Sequence, residues 1–145
     1  MKNILFIFCL LAAVGYGQAQ EAGSVSGTTV TMREIAPTWP GCESQKGAGL
    51  NDCFTKKLTQ HIVSNYKYPP AAYKKNEQGV VTVDFIINKL GLVEVTNVSG
   101  GTATLQKEAK RNIMSIPKMA KPGQLGGEPH IISYSVPFTF KTGKK

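Results

Sequence analysis

The strongest constraint on this chain is a run of strict alternation near its middle. Within residues 80–88, Val81, Val83, Phe85 and Ile87 form one uniformly apolar set, while Val80, Thr82, Asp84 and Ile86 form a mixed one. A period of two over that length predicts a β-strand with one face buried. Lys89-Leu90-Gly91 follows as a tight turn, with Gly91 free to take positive φ. A second strand over 92–98 then pairs with the first as an antiparallel hairpin. Residues 104–115 carry Leu105, Ala109 and Ile113, with Ile116 just beyond, at helical spacing, and Pro117 ends that helix. A third strand spans 131–141, with His130, Ile132, Tyr134, Val136, Phe138 and Phe140 facing the core.

The connections then fix the topology. The second strand reaches the third through a helix, so these two run parallel with a right-handed crossover. Because the first strand is antiparallel to the second, the economical order is 2-1-3, with the third strand at an edge. Pro137 agrees independently, since a strand proline is tolerated where its missing N–H faces solvent. The predicted class is α+β: a three-stranded antiparallel sheet with helices on one face. Its expected core includes Val83, Phe85, Leu105, Ile113, Tyr134 and Phe138.

Upstream, residues 51–65 read as a helix capped by Asn51 or Asp52, with Phe54, Leu58, His61 and Ile62 on one stripe. His61 is expected at the edge of the core rather than as a ligand. Residues 66–69 break the helix, and Pro70 opens a short one through Lys75. Residues 45–49 read as a loop. The segment 36–42 contains two prolines and Trp39, and is expected to lie extended on the domain, pinned by Trp39 and Cys42. Residues 20–31 are rich in Gly, Ser and Thr and read as a flexible arm. Residues 1–19 read as a secretory leader: Lys2, an apolar run at 4–14 too short to span a bilayer, and small residues before Gln20. The rival reading is an uncleaved anchor in the inner membrane. The domain plan is therefore 1–19 leader, 20–50 extended arm and 51–145 folded domain.

Setting the leader aside leaves Cys42 and Cys53. An even count in an exported chain suggests a disulfide, with a metal pair or free thiols as alternatives. With only His61 and His130 as further soft ligands, the pair makes a poor zinc site. The formal charge is +8, and the cations are dispersed. Export argues against nucleic acid as the partner, and the charge reads as solubility plus attraction to anionic envelope surfaces. No Ser-His-Asp ordering, metal-ligand cluster or close acid pair is present, so neither an enzyme, a metal, a cofactor nor a small-molecule substrate is expected. Glu94, Glu108 and Glu128 read as solvated.

The ordered set Tyr68-Pro69, Gly79-Val80-Val81-Thr82-Val83-Asp84-Phe85, Gly91, Val93-Glu94-Val95, Pro122-Gly123, Gly127-Glu128-Pro129 and Phe138-Thr139-Phe140 resembles the periplasmic C-terminal domain of TonB over about residues 53–141. Pro40-Gly41-Cys42-Glu43 and Cys53-Phe54 resemble a subgroup carrying a cysteine pair. Three features depart from the family pattern. Met119-Ala120 stands where an aromatic is usual, and Lys67 stands where Gln is usual. A leader with a short arm replaces the membrane anchor and Pro-rich spacer.

The resemblance implies a binding module that docks an extended segment of an outer-membrane TonB-dependent receptor on its last strand, in the periplasm. Inner-membrane energising proteins are a further implied partner. Strand parity then places the docked peptide. If Pro137 turns its nitrogen outward, Ile131, Ser133 and Ser135 do the same, and the peptide pairs with them and stops short of Pro137. Lys67, Tyr68 and Pro69 are carried over from the family as neighbours of that peptide. The competing reading is an exported adaptor or structural protein that kept the fold without transduction. A second alternative has the edge solvated, or covered by residues 20–40.

Overall fold

The computed structural model describes residues 33–143. The expected leader at 1–19 and arm at 20–31 lie outside the described residues. In chain order the elements are β1 (Glu34–Ile35), α1 (Ala48–Asn65), α2 (Pro70–Lys74), β2 (Gly79–Ile87), β3 (Val93–Ser99), α3 (Ala103–Met114), β4 (Gln124–Leu125), β5 (Glu128–Pro129) and β6 (Ile132–Phe140).

The alternating run becomes β2, the middle strand of a sheet ordered β3-β2-β6, with both neighbours antiparallel to it. Val81, Val83, Phe85 and Ile87 are buried, and the residues between them are half-buried. β6 pairs with β2 over nine consecutive residues, from Gly79–Phe140 to Ile87–Ile132, without a shift. β3 pairs less regularly, because a bulge between Asp84 and Phe85 leaves Thr96 unopposed. The hairpin turn closes on Asn88, whose Oδ1 accepts from Leu90 N at 2.9 Å and Leu92 N at 3.0 Å. Gly91 is needed there for φ 79°, and a Cβ on it would lie 3.1 Å from the Met119 carbonyl.

The helices cover one face. α3 lies over β3 and β2, burying Leu105, Ala109 and Ile113. Its N-terminus is capped by Thr102, whose Oγ1 accepts from Leu105 N at 3.4 Å and donates to Glu77 at 2.6 Å. Five of the six expected core residues are buried. Tyr134 is half-buried, because its ring is sandwiched by Phe54 and Phe85 while its edge reaches a surface pocket. Met119, where an aromatic was usual, is itself buried. Trp39, Cys42 and Leu50 join the same core, and Cys42–Cys53 is a disulfide with a Cα–Cα distance of 6.0 Å. His61 Nε2 lies 3.1 Å from Ser115 Oγ and 3.3 Å from the Asn112 carbonyl, linking α1 to α3.

Four expectations need correction. α1 begins at Ala48, about one turn early, so Asn51 and Asp52 lie inside it. No side chain caps its start at Gly47. A second small sheet, β1-β4-β5, exists beside the main one, and Thr38 bridges Lys121 next to it. β6 starts at Ile132, so Ile131 stands outside the ladder, 42% exposed. Glu108 is not solvated: it is half-buried and pairs with Arg111 at 2.6 Å.

Candidate functional site

β6 is an edge strand, and two side-chain hydrogen bonds fix which of its backbone groups face outward. The Thr139 carbonyl accepts from the Tyr66 hydroxyl at 3.3 Å, on the side away from β2. The Asp84 carbonyl accepts from Thr96 Oγ1 at 3.1 Å, so it points to β3 and away from β6. Asp84 pairs with Ser135 and Val80 with Thr139, and alternate residues of a strand point their amides oppositely. Ser133, Ser135, Pro137 and Thr139 therefore share the outward side. Pro137 loses nothing there, since a ladder bond to β2 is not required of it. Ser133 and Ser135 each present an N–H and a C=O. Beyond them, Pro137 has no donor and Thr139 already has an acceptor occupied. The unpaired stretch is thus short and bounded at its C-terminal end.

Helix α1 runs alongside this edge in the same direction. Its first half meets the start of β6, where Asn51, Phe54 and Thr55 border Ile132–Tyr134 around a pocket of about 220 Å³. Its last turn meets the end of β6, where Ile62, Val63 and Tyr66 border Pro137–Thr139 and Lys141 around a groove of about 410 Å³. Tyr66 also stacks on Phe140 at 5.3 Å. Burial, followed by the neighbouring Tyr68 and Glu108, pushes the Tyr66 phenol above its ordinary pKa, so it remains a donor. Burial, then the charge of Glu34, pushes the Tyr134 phenol up further.

On the solvent face, Asp84 joins all three strands. Ser135 Oγ donates to it at 2.6 Å from β6, and Asn97 Nδ2 donates at 3.1 Å from β3. Those bonds hold its carboxyl below the ordinary value, with Ser135 the larger cause.

Ser133 and Ser135 are brought together on the outward edge; Ile131 adjoins them but precedes the ladder. Lys67, Tyr68 and Pro69 lie elsewhere. Tyr68 packs edge-on against Phe140 at 5.6 Å and its hydroxyl donates to the Glu77 carbonyl. Phe140 is seven positions along β6 from Ser133, or about 23 Å of strand. Pro69 caps α2, and Lys67 is exposed. The residues that sequence reasoning missed are Ile62, Val63 and Tyr66. Tyr66 was read only as part of a helix break, yet an aromatic one turn beyond Ile62 was the available signal. The described part of the N-terminal segment pairs with β4, not with the β6 edge. No group of three or more metal-ligating side chains occurs among the described residues.

The family model for the C-terminal of the Gram-negative bacterial TonB protein matches residues 64–142. No curated protein matches the chain significantly. Two solution structures of the Helicobacter pylori TonB C-terminal domain resemble it. One, of its residues 179–285, is 25% identical with a TM-score of 0.47, over 65% of this chain and 85% of that one. The other, of residues 194–285, is 23% identical with a TM-score of 0.41, over 63% and 97% respectively.

Proposed function

The chain belongs to the TonB C-terminal family, and from that premise we propose that it binds extended segments of outer-membrane receptors by adding a strand to β6. The binding serves TonB-dependent transport, in the periplasm, after export by a leader at residues 1–19. The observation that carries the reading is the outward pair Ser133 and Ser135 on an edge strand with no register shift. An extended peptide satisfies such an edge through main-chain hydrogen bonds, and neighbouring pockets select its side chains. The opposite edge, β3, is the poorer template, because its bulge interrupts an even row of donors and acceptors.

The test is Ser133→Pro. It removes one outward N–H and leaves the bonds of β6 to β2 in place, so the fold should persist. Fluorescence anisotropy with labelled peptides from the periplasmic N-terminal segments of outer-membrane receptors should show binding to the wild type and loss in the variant. Equal affinity for both proteins would exclude β6 as the docking edge.

A further inference from the structure

The furrow between α1 and β6 is not uniform along its length, and its two ends differ in chemistry. At the Pro137–Thr139 end the wall is Ile62, Val63 and Tyr66, with Val63 69% exposed. At the Ile132–Tyr134 end the lining includes Glu34, Asn51, Thr55 and Ser133. Glu34 has no ion-pair partner among the described residues. Its backbone is held by pairing with Leu125, so Glu34 stays with the domain beside the pocket it lines. Lys141 closes the rim of the apolar groove. The furrow thus offers an anionic rim at one end and a cationic rim at the other.

A segment paired with Ser133 and Ser135 would continue the pleat of the sheet, and would run past Pro137 with that residue's carbonyl as its last acceptor. Its side chains opposite Tyr134, Val136 and Phe138 would point to the helix layer, as those residues do. Tyr134 borders one pocket and Phe138 the other, four residues apart along β6. That separation spans about 13 Å of strand. Side chains opposite the ends are therefore four residues apart on the docked segment, whichever way it runs. The side chain between them, opposite Val136, meets neither pocket.

We propose that the two pockets read the docked segment at two positions four residues apart: an apolar side chain beside Val63 and Tyr66, and a cationic one beside Glu34. The occupant is the receptor segment of the strand-addition reading, on which this inference rests. A cation in the apolar groove meets Lys141, and an acidic side chain at the other end meets Glu34, so the pair of pockets also disfavours the wrong order.

The test uses the full mature chain and labelled peptides built on Thr-Leu-Thr-Val-Thr-Lys-Thr, made in that order and reversed, with Glu replacing Lys in a matched pair. One of the two orders should bind. Replacing its Lys by Glu should weaken binding by about fivefold or more, and Glu34→Lys should invert that preference. Val63→Ser should weaken the Leu peptide more than its Ala counterpart. Affinities indifferent to the charge change, or a preference that survives Glu34→Lys, would overturn the two-pocket inference. With Ser133→Pro still abolishing binding, strand addition would stand. If no peptide binds a folded wild type, both readings fall together.

Discussion

Phe85 is the residue whose removal should cost the fold most. It is 1% exposed at the centre of β2, where it pairs with Tyr134 across the strand and stacks on that ring at 5.5 Å. Tyr134 in turn stacks on Phe54 at 5.0 Å, and Phe54 meets Trp39 edge-on at 5.9 Å. Phe85→Ala should destabilise the domain by about 3–5 kcal/mol through lost burial and the cavity left behind. The stacking contribution of roughly 0.5–1.5 kcal/mol favours the upper half of that range. An unfolding entropy of about 2.1 cal/mol/K per residue over roughly 110 residues converts ~4 kcal/mol into a drop in melting midpoint of about 17 °C. Trp39, the single tryptophan and buried, reports unfolding by its fluorescence. Urea and thermal transitions should be followed with the disulfide intact, beside Phe85→Leu, which keeps most of the volume and should cost about 1 kcal/mol. A loss under ~1 kcal/mol for Phe85→Ala would mean that the ring row is not a packed core. A protein that does not fold at all would be diagnosed by the leucine variant, which should.

Other perturbations follow from the same contacts. Replacing Cys42 and Cys53 by serine opens a loop with a sequence separation of 11 and should cost about 3 kcal/mol, read as a lower urea midpoint matched by the reduced wild type; an unchanged midpoint would remove the bond from the stability of the domain. Asp84 has a depressed folded pKa, so its stabilisation is present above the ordinary carboxylate range near ~4 and disappears as pH falls through the lower folded value. Asp84→Asn should therefore be less stable than wild type at neutral pH, and the two urea midpoints should converge as pH falls through the lowered folded value of Asp84; a gap independent of pH would contradict this. A Cβ at Gly123 would lie 2.3 Å from Ile132 Cγ1, so Gly123→Ala should cost about 1–3 kcal/mol, and Ile132→Ala in that background should recover part of it if the clash is the cause.

The legible parts of the fold are those where burial imposes a period. β2 and β6 each turn alternate residues toward the core over nine positions, and Pro137 gave the edge its own signature. The start of α1 was not legible because Gly47 carries no capping side chain, so the nearby Asn51 and Asp52 drew the boundary inward. Two-residue strands such as β1, β4 and β5 are too short for any periodicity, and β1 pairs with β4 across distant segments of the chain. Asn112 is buried within the helix stripe, where its amide donates to the Ile62 carbonyl at 3.0 Å. A polar side chain beside Ile113 reads as solvated until the facing helix is known. The candidate site was legible in its backbone and not in its walls. Parity identifies Ser133 and Ser135 from Pro137 alone, whereas Val63 and Tyr66 reach the edge only through the course of α1.

The position of the disulfide has a mechanical consequence. A pull on the chain at Arg33 first shears the two residue pairs of β1 with β4 and then the Thr38–Lys121 bridge. Beyond Cys42 the tension divides, and the covalent path leads straight to Cys53 in α1 while residues 43–52 stay slack. Cys53 adjoins Phe54, whose ring rests on Tyr134 of β6. Traction on the N-terminal side thus arrives at β6 through one covalent bond and one ring stack. With the disulfide reduced, the same pull would first have to straighten residues 43–47, up to about 20 Å of extended chain, and would then enter α1 at Ala48 rather than at Cys53.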